Sequence, residues 1–271
     1  MATTPTTITP FYSFCMAMTV ILILSISHNA IAQQSTTYLD DASHQFWHDD
    51  STLSAITIRF SQAQWDLLLL TNIAATIAFA ISGALVAARH RLDIVGFIFM
   101  ACITGIGGGT LRDTILDLPV FWLNDYYIIL FCSGAAILTF FTAQHISKRS
   151  KALLWADALG MALFTVLGAQ KAISLGMDIP VAIIMGIFSA CLGGIIRDVI
   201  VNDVPVVFQR DIYITASLLG AMSYCLLFTY TPLSEGYALV VGGALTFIIR
   251  ALAITRKLSI PAHKGLDSAG Q

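Results

Sequence analysis

Gly107-Gly108-Gly109-Thr110-Leu111-Arg112-Asp113 returns 85 residues later as Leu192-Gly193-Gly194-Ile195-Ile196-Arg197-Asp198. The match extends in both directions. At the same offset Gly83 meets Gly168, Asp93 meets Asp178, Ile94 meets Ile179, Met100 meets Met185 and Ile115 meets Ile200. After one inserted residue Pro119 meets Pro205, Asp125 meets Asp211, Tyr127 meets Tyr213 and Gly134 meets Gly220. The chain therefore carries an internal duplication, and both copies of the motif lie in long apolar runs.

Composition sets the solvent of those runs. The 271 residues are 57% hydrophobic and 11% charged, with a mean hydropathy of +0.80. A soluble domain carries about 25% charged residues. Here 14 Lys and Arg with 16 Asp and Glu cannot build a polar shell around so long a chain. The net charge of -2 offers no basic surface to nucleic acid, so no nucleic-acid partner is expected. The class left is an all-α polytopic membrane protein, since helices satisfy their own backbone groups in lipid.

Seven spans follow from the apolar runs, near 67–88, 94–116, 126–143, 153–175, 180–201, 212–230 and 237–254. Spans one to three repeat as spans four to six, and span seven is unpaired. Three spans is an odd number, so the second copy would enter the membrane inverted. Inverted repeats are a transport architecture. The domain reading is a first three-helix repeat at 65–146, a second at 152–231, a seventh helix at 236–255 and a cytoplasmic tail at 256–271.

Two segments precede the repeats. Residues 1–32 read as a secretory signal peptide, with an apolar stretch from Phe11 to Ile26 and a small-x-small site at Ala30-Ile31-Ala32. The stretch is shorter than the ~20 residues a span needs. Its one departure from the pattern is a basic-free start, Arg59 being the first basic side chain. The rival reading is an uncleaved extra helix. Residues 33–64 read as a polar periplasmic tail. His44 and His48 lie four apart there, beside Asp40, Asp41, Asp49 and Asp50. No further ligand can be assigned, so a solvated tail is preferred to a metal site and no metal is expected.

Basic residues orient the spans. Arg89 and Arg91 follow span one, and Lys148, Arg149 and Lys151 follow span three. Arg197 and Arg210 flank the loop after span five, and Arg250, Arg256, Lys257 and Lys264 end the chain. All fall on the cytoplasmic side if the mature N-terminus is outside and the C-terminus is cytoplasmic. Arg59, Arg112 and Lys171 fall on the other side.

The chemistry-bearing residues sit at the repeat. Gly105, Gly107, Gly108 and Gly109 in span two and Gly193 and Gly194 in span five are expected to interrupt and kink their helices, since clustered glycine weakens a helix. Such breaks expose carbonyls, which membranes accept only against protein or water. Close packing through small residues is the plainer reading of any one glycine. Adjacent residues diverge on a helix, so Arg112 and Asp113, and likewise Arg197 and Asp198, are not expected to pair with each other. Intramembrane charge is costly and usually functional, so both pairs are candidate pathway charges, with interfacial anchoring as the plain alternative. Asp157 aligns with Asn72, and is expected to attract a cation or pair with an arginine. Lys171 aligns with Val86, and is read either as a positive gate or as a lysine reaching the interface. Cys102, Cys132, Cys191 and Cys225 lie in apolar runs with no ligand spacing, and read as packing residues. No histidine neighbours a nucleophile motif and no phosphate loop is present, so no enzyme and no cofactor is expected.

The doubled Gly-Gly-x-x-Arg-Asp pattern followed by Pro119, with three-plus-three spans and a seventh, resembles the prokaryotic trimeric intracellular cation (TRIC) channel family. Its repeat unit is also described as a glycine transporter domain. The resemblance covers Trp65 to Lys257, and the second motif departs by one glycine at Leu192. It implies a homotrimer in membrane lipid, a pore in each protomer, and passive permeation of monovalent cations, chiefly potassium. It leaves a transporter of glycine, or of a similar small amino acid, as the alternative. A membrane scaffold is the third class, against which the matched glycine clusters count. The leader reading is checked by intact-mass spectrometry of the purified chain, which is expected to begin at Gln33.

Overall fold

In a computed structural model, residues 62–145, 149–208, 212–232 and 234–256 are described. The signal-like segment and the His44/His48 tail lie outside them. Residues 1–65 form one unit and 66–271 another, and nearly all described residues belong to the second.

Among the described residues there are eight α-helices: α1 (Gln62–Arg89), α2 (Ile94–Ile115), α3 (Phe121–Asn124), α4 (Tyr127–Thr142), α5 (Arg149–Ser174), α6 (Ile179–Ile200), α7 (Ile214–Tyr230) and α8 (Glu235–Arg256). Short 3-10 turns occupy Ala143–His145 and Val206–Phe208. Five helices, α1, α2, α5, α6 and α8, are long and apolar enough to cross a membrane, while α4 and α7 are shorter. At 1.5 Å per residue the 16 residues of α4 and 17 of α7 cover about 24–26 Å, less than a ~30 Å hydrocarbon core.

The duplication is written into the backbone. Two residues past the end of four long helices the backbone turns left-handed: Arg91 after α1 at φ 54° and Gly176 after α5 at φ 77°; Asp117 after α2 at φ 53° and Asn202 after α6 at φ 57°. Each pair is 85 apart. In all four places the residue after the left-handed one donates its N–H back into the last turn: Leu92 to Ala87, Met177 to Ala172, Leu118 to Asp113 and Asp203 to Asp198. This closes orphan carbonyls at the helix end, and Asn, Asp or Gly tolerates the left-handed position best. Asp93 caps α2 by accepting from Gly96 N at 2.8 Å. Asp178 holds the same cap position on α6 without that bond, ahead of Pro180 in the first turn.

The two copies meet through their equivalent residues. The rings of Phe79 and Phe164 stack on each other, centroids 5.4 Å apart. Where α2 crosses α6, a Cβ added to Gly108 would strike the Ser189 carbonyl, and one added to Gly193 would lie 2.7 Å from the Thr104 carbonyl. Thr104 and Ser189 are equivalent at the repeat offset, as are Gly108 and Gly193, so the contact is reciprocal. Within each copy the same logic recurs. A Cβ on Gly83 would meet Met100 O and Thr104 Oγ1, and one on Gly168 would meet Met185 O and Ser189 Oγ. One core cluster joins α1, α2 and α4, a second joins α5 to α8, and a third links α1 to α5, α6 and the start of α7.

The expected helix breaks are absent as breaks. Helix α2 is α-helical throughout Gly105–Gly109, and α6 throughout Gly193–Gly194. The physical reason is the crossing itself. In lipid, helices associate by close packing of small residues, and here the glycines bring two backbones together instead of leaving carbonyls unpaired.

The crossing makes a signed prediction for thermal melting in detergent. Gly108→Ala forces a methyl into the α6 backbone and is expected to destabilise by about 1–3 kcal/mol. Gly134→Ala meets nothing within 4 Å and is expected to be neutral or stabilising, since alanine is the better helix former.

Candidate functional site

The C-terminal turns of α2 and α6 present two equivalent buried charge clusters. Cations belong in a last helical turn, where carbonyls point outward without partners. At the α2 end Arg112 is buried and Asp113 fully so. Arg112 Nε lies 2.8 Å from Asp113 Oδ1, and Lys171 Nζ reaches the same oxygen at 3.0 Å from α5. Asp113 Oδ2 accepts the N–H of Phe121, the first residue of α3, at 3.1 Å. Trp122 Nε1 donates to Thr110 Oγ1 at 2.9 Å, tying α3 to α2.

At the α6 end Arg197 is fully buried. It grips Asp198 with two nitrogens, Nε to Oδ1 at 2.7 Å and Nη2 to Oδ2 at 3.1 Å. Its Nη1 donates to Asp157 Oδ1 of α5 at 2.9 Å and also to Ser82 Oγ of α1. Asp198 Oδ2 accepts from Val206 N at 3.1 Å, eight residues on, as Asp113 does from Phe121. Each aspartate thus fastens the segment that leaves its helix, giving a partner to an N–H that starts a new helical turn.

These contacts correct one expectation. Arg112 and Asp113, and Arg197 and Asp198, do pair with each other. Successive side chains diverge at Cβ, but the long guanidinium arm curls round the last turn to reach its neighbour. Burial makes that closure favourable, because an unpaired buried charge is costly, and at Arg197 two nitrogens close a bidentate fork on the carboxylate.

Other predicted residues take distinct places. Lys171 is neither a free interfacial lysine nor an isolated charge; it bridges to Asp113. Asp157 is the partner of Arg197. Gly107 faces the Ile196 side chain, Gly108 and Gly193 form the crossing, and Gly105 lies against Thr76 and Cys132. Gly109 and Gly194, equivalent in the repeat, face the two clusters. Beside Gly109 stands the Phe121 ring; beside Gly194 stand Asp157, Tyr213 and Arg197.

Three further residues of the site are not marked as such by the sequence. Ser82 gives no signal, a lone serine in an apolar helix. Tyr213 was visible only as a repeat match to Tyr127. Arg250 reads in the sequence as one of the flanking cytoplasmic cations, yet it is fully buried, its Nη1 donating to Ile212 O at 3.3 Å. Its place within the apolar run 237–254 was the available clue.

Formal charge differs between the clusters. Arg112, Lys171 and Asp113 leave one positive charge; Arg197, Asp157 and Asp198 leave one negative charge. The buried oxygens Asn72 Oδ1, Asp157 Oδ2, Ser189 Oγ and Thr215 Oγ1 have no hydrogen-bond partner among the described residues. No group of three or more metal-binding side chains occurs among the described residues.

Comparison with known proteins places this arrangement. A family model described as "Glycine transporter" matches twice, at residues 69–144 and 154–229, one match per copy of the duplication. A UPF0126 membrane protein of Vibrio cholerae is 37% identical over 209 residues, 72% of this chain and 82% of its own. The UPF0126 inner membrane protein YadS of Escherichia coli K12 is 33% identical over 202 residues, 74% of this chain and 97% of its own. Among solved structures, the TRIC trimeric intracellular cation channel orthologue from Rhodobacter sphaeroides is 40% identical, with a TM-score of 0.69 over 71% of this chain and 99% of its own. With its all-helical fold, its apolar spans and its doubled domain, this chain is a multi-pass bacterial inner-membrane protein of the prokaryotic TRIC channel family, whose repeated unit is the glycine-transporter domain.

Proposed function

We propose that the chain is a passive channel for monovalent cations, potassium above all. Its pathway runs in each protomer along the paired helices α2 and α6, with the Arg112 and Arg197 clusters at its two ends. The observation that carries the cation reading is the set of unpartnered buried oxygens at Asn72, Asp157, Ser189 and Thr215. Oxygen dipoles and a carboxylate can replace part of a cation's hydration shell. The naming of a solved TRIC relative as a cation channel supports the same reading.

The alternative is a secondary transporter of glycine or a similar small amino acid. It is favoured by the description of the family model. A carboxylate substrate would need unpaired N–H donors at a helix break, and α2 and α6 are continuous helices at their glycines.

The assembly we propose is a homotrimer with seven spans, α4 and α7 completing the two three-helix repeats and α8 standing seventh. The domain limits are 65–146, 152–231 and 236–255. The reciprocal contacts of Gly108 with Ser189 and Gly193 with Thr104 support a two-fold relation between the copies, because only such a relation makes equivalent residues exchange partners. Exposed Arg89, Arg91, Lys151 and Arg256 support a cytoplasmic C-terminus and a periplasmic N-terminus.

Proteoliposomes with purified protein, loaded in parallel with potassium and with labelled glycine, test the reading. Potassium flux without saturable glycine counterflow is expected; glycine exchange without potassium current would overturn it. In the same vesicles Asp157→Asn is expected to lower potassium flux about ten-fold or more, since it removes the one carboxylate among the oxygens at Asn72, Asp157, Ser189 and Thr215 and with it the charge that concentrates cations there. Arg112→Ala, measured alongside, is expected to change flux while keeping the trimer in light scattering.

A further inference from the structure

The two ends of the duplicated fold differ in what fills the hollow beside an equivalent glycine. At the α2 end a Cβ on Gly109 would meet the Phe121 ring at 2.6 Å, and Arg112 lies over that ring with its Cζ 5.9 Å from the centroid. At the α6 end a Cβ on Gly194 would lie 3.4 Å from Asp157 Oδ1, 3.4 Å from the Tyr213 hydroxyl and 3.6 Å from Arg197 Nη2. One hollow is closed by an aromatic ring; three polar groups converge on the other.

Tyr213 is placed there by a helix that has no counterpart in the repeat. The Arg250 guanidinium of α8 stands over the Tyr213 ring, Cζ 4.7 Å from its centroid, within the range where a cation is drawn to an aromatic face. The same guanidinium holds the backbone just before Tyr213 through the Ile212 carbonyl, at 3.3 Å. Both side chains are buried. The equivalent tyrosine, Tyr127, is half-buried, and its ring packs edge-on against Tyr126 and Phe131. A buried arginine in an apolar helix is expensive, and packing alone would not require one.

We propose that Arg250 is a positioning residue for the α6 end of the pathway: it holds Tyr213 so that the hydroxyl stands with Asp157 and Arg197 around the hollow beside Gly194. In this way α8 makes two otherwise equivalent ends chemically unlike. Fixed groups at a narrow entrance set the local cation concentration, so unlike ends give unequal currents in the two directions. The inference rests on the permeation reading above.

The test is the ratio of potassium currents at equal positive and negative voltages, for the full chain reconstituted with known orientation. Arg250→Gln removes the cation over the ring but keeps a donor for Ile212. Tyr213→Phe keeps the ring and removes the hydroxyl. Each is expected to move the ratio by about two-fold or more in the same direction. The double variant is expected to move it no further than either alone, because residues acting as one unit are not additive. Arg250→Lys, which restores the cation, is expected to return most of the wild-type ratio, and Tyr127→Phe to leave it unchanged. A purely structural Arg250 would lower the melting temperature while leaving the ratio of the surviving channels at the wild-type value, and that result overturns the inference. Additive effects overturn it too. If Arg250→Gln does not fold, an unmoved ratio in Tyr213→Phe is decisive against it. Wild-type protein that passes no potassium would sink the permeation reading instead, before any variant is compared.

Discussion

Two helix backbones, α2 and α6, touch with no side chain between them, and the rest of the molecule is arranged round that contact. Gly108 and Gly193 each leave room for a carbonyl of the opposite helix. In water a core can form from interlocking apolar side chains driven by the hydrophobic effect. In lipid that drive is absent between helices, so close backbone approach and dispersion carry the association. The glycines at 83 and 168, which bring the flanking helices against Thr104 and Ser189, serve the same end one layer out. The stacked Phe79 and Phe164 rings fill the space beside the crossing.

Once the two helices are fixed, their ends must be closed, and there the polar chemistry collects. A helix that stops inside protein leaves carbonyls and charges needing partners. The left-handed Asp117 and Asn202 return the chain on itself, and Asp113 and Asp198 fasten the departing segments at Phe121 and Val206. The arginines beside them supply countercharge. Removing one member of such a buried pair generally costs about 3–5 kcal/mol, so these groups are structural and chemical at once. The copies then diverge by what each borrows. The α2 end takes Lys171 from the other copy, while the α6 end takes Asp157 from its own and Ser82 from the other.

Much of this was legible in the chain. The 85-residue offset located both motifs, both glycine pairs and the matched aspartates at 93 and 178, because duplicated folds reuse the same turns. The alignment of Asp157 with Asn72 marked a polar site inside an apolar helix, and an arginine partner was among its two expected fates. The pairing of Arg112 with Asp113 was not legible, since helical geometry at Cβ argues against neighbours meeting and only the length and burial of the guanidinium reverse it. The same holds for the glycines. A run of them reads equally as a break or as a contact surface, and what lies across from them decides between the two.

The sequence by itself determined the membrane class, the duplication, the charged helix ends and the family. Composition and spacing are local properties, and the lipid solvent leaves them few solutions. Only the tertiary structure decided which groups meet: Lys171 with Asp113, Arg197 with Asp157 and Ser82, Arg250 with Tyr213. Those partners lie on different helices. Their meeting depends on crossing angles and side-chain reach, which no one segment encodes.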